Sequence, residues 1–422
     1  RHASALAALG PHPWGSPRTR AAAEYVAVQF REAGLSEVRL QEFETGGLAG
    51  VNVVGVLRAR GPELVVVGAH HDTVPEAPGA YDDGGGVGVL VEAARALARE
   101  PMRTRSFVFV SFDGEEAWSA GKTTTAGSRA WLKSMGSSAR DVVAALVIES
   151  CGWKGGTPSL HPIAYRDPRE AGGSVVTPGW LMRAALNGAG GDLRVGDPYL
   201  SWLYQPGVRT FRVGFYGDDL SFLQAGVPAV FVSDSSFSGF YPWYHGPGDT
   251  ADKLDAASLA RMGEAVLGVL RTLDRVPRGP AEDPHWFSAF GWVFGRSVLL
   301  VLGLLSLLPG LRAALRARGL TLAARLLHLP LFGLLLWRHP VPALCVFLLA
   351  NLLTPGGGPG RKILALLPPL ALAALGIAAW RRGMVDGLWL APWEVVVACL
   401  ALALLFVRAP AAVRKTGRRK RI

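Results

Sequence analysis

The chain has 422 residues, half of them hydrophobic, with 44 Lys+Arg against 33 Asp+Glu and a formal net charge of +11. That charge is unevenly placed: residues 1–285 hold 27 Lys+Arg and 31 Asp+Glu, while residues 286–422 hold 17 Lys+Arg against only Asp386 and Glu394. The first part has no broad basic face, so the case for a nucleic-acid partner that a high pI suggests falls away, and Cys151, Cys345 and Cys399 make no disulfide framework.

The chain starts at Arg1 rather than Met, and an upstream segment is expected to have been removed. Residues 1–17 carry PHPWGSP, a Pro/Gly-rich turn. From Arg18 to Ala33, Ala22, Tyr25, Val26, Val28 and Phe30 follow a helical period that Gly34 ends. Glu37 to Phe43 alternates as a strand, and Val51 to Leu57 reads as a more buried one. Two apolar runs, Leu64 to Ala69 and Ser106 to Phe112, predict strands that end in ionisable residues, His70 and Asp72 after the first and Glu115 and Glu116 after the second. Between them a turn-rich segment presents Asp82 and Asp83, and a helix over Gly86 to Arg99 returns the chain. A helix is predicted over Ala126 to Met135, then a buried strand from Val142 to Ile148 that stops at Glu149. Residues 150–210 read as long loops around one helix, Trp180 to Asn187. A helical turn from Asp218 to Ala225 and a strand from Val227 to Val232 precede the loop DSSFSGFYPWYHGPGDT, which delivers His245 and Asp249. Asp255 to Leu273 is an amphipathic closing helix. Strands alternating with helices predict an α/β fold, a mixed central sheet with helices on both faces.

After Pro284 the character changes. Apolar runs near 290–308, 319–337, 341–354, 363–380 and 387–407 mostly approach the roughly 20 residues a bilayer span needs, which predicts a domain boundary at 285/286 and an all-α membrane domain of about five spans. One side of five spans would carry Arg312, Arg316, Arg318, Arg361, Lys362 and a tail with Arg408, Arg414, Lys415, Arg418, Arg419, Lys420 and Arg421; the other has only Arg338, Arg381 and Arg382. The positive-inside rule places the richer side and the C-terminus in the cytoplasm and residues 1–285 on the non-cytoplasmic side. Apart from Glu394 the spans lack acids, so ion-coupled transport has no visible residue to use and the spans read as an anchor in contact with membrane lipid.

Histidines and carboxylates just beyond strand ends suit a hydrolytic zinc site, since open α/β sheets form sites at that edge. A pair of zinc ions needs a bridging carboxylate plus one His and one further carboxylate for each ion. His70, Asp82, Glu116, Glu149 and His245 meet that need: Asp82 bridging, Glu116 and His245 completing one ion, His70 and Glu149 the other. Asp72 suits the role of fixing the His70 tautomer. Glu115 adjoins a ligand yet points elsewhere, which suits a general base.

HHD, PGAYDD, GEE, VIES and YHGPGDT together resemble metallopeptidase family 28, the co-catalytic di-zinc exopeptidases, over roughly residues 8–275; PHPWGSP and DDLSFLQAGVPA are similar to family segments outside the ligands. The resemblance implies a zinc-dependent aminopeptidase acting on peptide substrates, and the whole chain looks most like the branch of the endoplasmic reticulum metallopeptidase. Three positions depart from the pattern: Glu149 where many relatives have Asp, and Gly217 and Asp219 where Ser and His are common. Tyr216 and Tyr244 both stand as candidate donors to an oxyanion. The deacylase and dipeptidase group is disfavoured by the short spacings from His70 to Asp82 and from Glu149 to His245. A carboxypeptidase, a single-zinc glutaminyl cyclase and a non-catalytic receptor or scaffold are the alternatives.

Overall fold

The computed structural model describes residues 1–100, 103–116, 125–154, 156–164, 175–191, 193–195, 217–234, 241–280, 286–289, 292–295, 297–298 and 301. The chain divides into two units, Arg1–Phe294 and Gly295–Ile422. The expected spans lie almost wholly outside the described residues, and no helix among those described is long and apolar enough to cross a membrane.

The first unit is built on an eight-stranded mixed sheet in the order β1-β2-β4-β3-β5-β10-β6-β9. Its strands are β1 (Glu37–Thr45), β2 (Leu48–Leu57), β3 (Leu64–His70), β4 (Ser106–Phe112), β5 (Val142–Ile148), β6 (Ser159–His161), β9 (Arg194–Val195) and β10 (Ala229–Ser233). A separate two-stranded pair is made by β7 (Ile163–Ala164) and β8 (Val175–Val176). The central four, β4, β3, β5 and β10, are mutually parallel. Every residue of β4 and β5 is buried, as strands covered on both faces must be. The edge strand β1 keeps an exposed side instead.

The two sheet faces are covered by different helices. Val67, Phe109 and Leu146 join a core with Leu90 of α3 (Gly86–Ala98), Phe30 of α2 (Pro17–Glu32), Leu181 of α5 (Gly179–Gly188) and Val266 of α7 (Ala256–Leu273). On the other face Val66, Val108, Val110 and Phe112 pack on Trp131 of α4 (Ala126–Met135) and Phe222 of α6 (Asp219–Gln224). Successive residues of β3 and β4 thus serve opposite cores, the period of two that a pleated strand imposes. Local chemistry agrees with these boundaries. Ser16 accepts from Thr19 N–H (3.2 Å) with Pro17 opening α2, and Asp255 accepts from Ser258 N–H (2.9 Å) to open α7.

The major elements start or stop within a few residues of the expected positions. Several features are additional, among them an antiparallel pair, β11 (Phe287–Ala289) and β12 (Trp292–Phe294), where the first expected span was to begin. A short α1 (His2–Ala7) precedes the PHPWGSP turn and packs on α3. Strands β6–β9 lie within the expected 150–210 loops, and each is only two or three residues long. The segment carrying Asp82 and Asp83 is a wide helical turn, Ala80–Gly85, with non-helical dihedrals at both aspartates and a cis peptide between them.

Leu146 is fully buried at the centre of β5. Leu146→Ala is expected to lower stability by about 2–5 kcal/mol through the cavity it leaves, read as the shift in urea midpoint at unchanged m-value.

Candidate functional site

Because β4, β3, β5 and β10 run parallel, their C-terminal ends share one edge of the sheet. His70 is the last residue of β3, Glu115 and Glu116 follow β4, Glu149 follows β5, and Asp234 follows β10. The wide turn after β3 brings Asp82 over this edge, and the loop before α7 brings His245. Glu115, Glu116, Glu149, Asp82 and His70 are all buried; His245 is about one-third exposed.

All five residues considered as ligands meet here. His70, Asp82 and Glu149 each place one ligand atom within 4.8 Å of the others, and so do Asp82, Glu116 and His245. Asp82 belongs to both groups and divides its oxygens between them: Oδ1 lies 3.2 Å from His70 Nε2, and Oδ2 lies 3.2 Å from His245 Nε2. His245 Nε2 is also 3.1 Å from Glu116 Oε1. A third group, His70, Glu115 and Glu116, lies within the same distance.

The donor atoms fit a metal better than they fit each other. The His70 Nδ1–H has a carbonyl acceptor, Asp72 O at 3.0 Å, so a neutral ring points an Nε2 lone pair at the Asp82 carboxylate. Asp82 Oδ2, Glu149 Oε2 and His245 Nε2 are buried with no hydrogen-bond partner of good geometry among the described residues. Two ligands about 2.0–2.1 Å from a tetrahedral zinc stand about 3.3 Å apart. The observed separations of 3.1–3.2 Å are close to that edge length.

Around this group Asp72, Asp83, Asp234 and Asp249 are committed mainly to backbone donors. Asp72 accepts from Glu115 N–H and Glu116 N–H, each at 3.1 Å, and so fixes both glutamates. Its carboxylate is 3.5 Å from His70 Nδ1, farther than its own carbonyl, so the backbone of Asp72 rather than its side chain holds the imidazole. Asp83 takes Gly86 and Ser150 N–H at 3.0 Å and His70 N–H at 3.3 Å. Asp249 takes Tyr81 N–H at 2.8 Å, Asp82 N–H at 3.2 Å and the Tyr241 hydroxyl at 3.0 Å. It thereby ties the bridging turn to the loop of His245. Asp234 accepts the Tyr81 hydroxyl at 2.7 Å and the N–H groups of Gly152 and Trp153. Ser150, Thr125 and His245 all adopt positive φ, an uncommon conformation for non-glycine residues that clusters at functional sites.

Asp83, Asp234 and Asp249 had no role assigned by sequence reasoning. Their signal was an acid beside an apolar strand or an aromatic loop, which must find donors once buried. Tyr244 stacks on the His245 ring at 3.9 Å, and burial, followed by the nearby carboxylates, pushes its hydroxyl pKa well up, so it stays protonated. Tyr216 lies outside the described residues.

Burial pushes Glu116 up to about 7, with Asp82 adding to it, and pushes Glu115 and Glu149 well above the usual carboxylate range. Asp82 moves down against its burial because the imidazoles of His245 and His70 flank it. His245, opposed by burial, is raised to about 10 by Asp82 and Glu116. Burial also lifts Asp218, which sits at this edge without a well-formed hydrogen bond, and Asp219 to about 7.

The model of peptidase family M28 matches residues 52–270, just over half of the chain. The chain belongs to peptidase family M28. It is an enzyme of that family, with the candidate metal sites at the family's matched segment. YfbL of Escherichia coli (strain K12), an uncharacterized protein, is 26% identical over 269 residues, 59% of this chain and 78% of that protein. A probable leucine aminopeptidase of Arthroderma otae is 26% identical over 228 residues, 51% of this chain and 56% of that protein. Aminopeptidase YwaD of Bacillus subtilis is 38% identical over 68 residues, 15% of each chain. The chain thus spans little more than half of one of these two aminopeptidases and a small part of the other. Among solved structures, the zinc aminopeptidase BSAP of Bacillus subtilis superposes with a TM-score of 0.51 at 15% identity, covering 66% of this chain and 96% of that one. Glutaminyl cyclase of Porphyromonas gingivalis does so at 0.50 and 22%, covering 65% and 95%. At these identities the M28 chain shares a fold with both, and the fold does not separate their activities.

The raised carboxylates set a pH dependence. Glu116, Asp218 and Asp219, near 7 in the fold, keep protons there that they shed in the unfolded chain from about pH 4 upward, so stability falls as pH rises through that window. His245 stabilises fully below 6.5 and loses that contribution as pH climbs towards about 10, in the same direction. His71, pushed down to about 3 by burial, opposes this only below 6.5. The metal-free protein is therefore expected to show a urea midpoint that declines from about pH 6.5 to 8, and saturating zinc to remove the decline. A metal-free midpoint that rises over this range contradicts the assignment.

Proposed function

We propose that this chain is a membrane-anchored di-zinc aminopeptidase that removes N-terminal residues from peptides. The observation that carries the reading is the division of Asp82, one carboxylate oxygen toward each histidine, with a second carboxylate standing beside each pair. Asp82, Glu116 and His245 would hold one ion, and Asp82, His70 and Glu149 the other. Bound there, the ions supply a more acidic water and polarise the scissile carbonyl.

The protein's own groups do the rest. Glu115 takes a proton from the attacking water and returns it to the leaving amine nitrogen. Burial raises its proton affinity, which favours the uptake, and Asp72 holds its backbone in place. Tyr244, kept protonated beside the carboxylates, is one candidate donor for the developing oxyanion, and Tyr216 is the other. A cyclase working with one ion needs only one of the two triads; the pairing of both around Asp82 supports the two-ion hydrolase instead. An inert receptor has no use for Glu115 buried beside the cluster.

The anchor rests on the sequence: five apolar runs after Pro284, flanked by a strongly one-sided distribution of basic residues. Residues 1–285 would then work on the non-cytoplasmic side of the membrane, with the C-terminus in the cytoplasm.

Glu115→Gln is expected to lower turnover of aminoacyl-p-nitroanilides by about 10²–10⁴-fold while zinc content stays at the wild-type level; activity that survives the change removes Glu115 as the base. Incubation with an N-terminal glutaminyl peptide separates release of the residue from cyclisation. A reporter fused after Ile422 should be active in the cytoplasm, and activity confined to a non-cytoplasmic compartment would refute the orientation.

A further inference from the structure

Residue 217 approaches the candidate centre without a side chain of its own. A Cβ built on Gly217 lies 2.3 Å from Glu149 Oε2 and 2.8 Å from Cε2 of Phe231. The φ of Gly217 lies outside the left-handed region, so its conformation is open to any residue. Glycine is required here for space alone. Its backbone is fixed on both sides: the N–H donates to Asp219 Oδ1 at 3.2 Å, and the carbonyl accepts from Leu220 N–H at 3.1 Å. Phe231 is buried in β10 and packs edge-on against the His161 ring at 5.3 Å. The mobile member of this contact is the end of Glu149.

That end is a candidate ligand. Glu149 Oε2 has no hydrogen-bond partner among the described residues, and the carboxylate lies within ligand reach of His70 and Asp82. To reach an ordinary C···O separation of about 3.3 Å from a new Cβ, the carboxylate would retreat by about 1 Å. A metal site tolerates only about 0.2 Å in its bond lengths.

We propose that Gly217 is a positioning residue for the metal centre: the empty volume at 217, with Asp219 pinning the glycine backbone, lets the longer Glu149 side chain close the His70–Asp82–Glu149 triad. The proposal rests on the di-zinc reading above.

The test uses the purified full chain, as wild type, Gly217→Ala, Glu149→Asp and the double variant, each dialysed against buffered zinc and analysed for zinc per chain, with urea midpoints measured alongside. Wild type should hold two ions. Gly217→Ala should keep one and bind the second about 10–100-fold more weakly, with a lowered midpoint as well, because the new Cβ also meets the ring of buried Phe231. The double variant, one methylene shorter at position 149, should recover the second ion. Gly217→Ala binding both ions as wild type does, or a double variant that fails to recover, overturns the role of Gly217 and leaves the di-zinc reading standing. Wild type that takes up fewer than two ions overturns the di-zinc reading itself. Should Gly217→Ala not fold, the double variant decides: folded with two ions it supports the proposal, unfolded it overturns it.

Discussion

Buried negative charge at one sheet edge is the constraint on which this structure depends. Asp72, Asp82, Asp83, Glu115, Glu116, Glu149, Asp218 and Asp249 are all removed from water within one region. Ionised carboxylates in such an environment repel one another and lose their hydration, a cost that only donors or cations offset. Six of them sort into two kinds. Asp72, Asp83 and Asp249 are saturated by backbone N–H groups, while Asp82, Glu116 and Glu149 are left facing imidazoles and each other. The first kind needs nothing more. In the second kind Glu116 and Glu149 have proton affinities raised by burial, which a cation beside them would lower.

The sheet topology explains why these acids can be gathered at all. Parallel strands deliver every C-terminal end to the same edge, so four loops converge there without any of them crossing the core. The helix that follows the Asp82 turn begins at Gly86, which places its unpaired N–H groups and positive dipole end beside Asp83. The chain behind the edge is stiffened as well. His12 and Thr73 exchange hydrogen bonds, His12 N–H to Thr73 Oγ1 at 2.9 Å and Thr73 N–H to the His12 carbonyl at 3.3 Å, so the PHPWGSP segment braces the loop after His70.

Much of this arrangement was legible in the residues. The strands that carry the site are continuous apolar runs, and such runs announce themselves; β5 and α4 match their expected limits at both ends. The five candidate ligands were legible because each follows a strand or sits in a Gly-rich loop. Short pieces escaped, since α1 with six residues and β6 with three are below the length at which a period can be seen. The duty of Asp72 escaped for another reason. Which of two acceptors on one residue meets an imidazole is settled by backbone geometry that no pattern of residue types encodes. The reach of Glu149 into the space at Gly217 is similar: the two lie far apart in the chain, and only their proximity in the fold relates them.

The same geometry bears on how occupancy and order are coupled. Asp82 stands on a loop whose dihedrals are irregular, and His245 on another held at positive φ. Neither is a rigid platform by itself. Asp249 joins them through two backbone N–H groups of the Asp82 turn and the Tyr241 hydroxyl of its own loop. Asp234 adds a second tie, from the end of β10 to the Tyr81 side chain, and Tyr81 stacks on Tyr241 at 4.1 Å. An ion shared by Asp82 and His245 would therefore close a ring of which Asp249 and the tyrosine pair already make the other half. Ligand placement and loop packing become one cooperative unit: a change in either half is felt by the other through contacts of 2.7–3.2 Å. A hydrolytic site gains from this arrangement, because geometry that must hold to fractions of an ångström is then maintained by a network rather than by two loops acting separately.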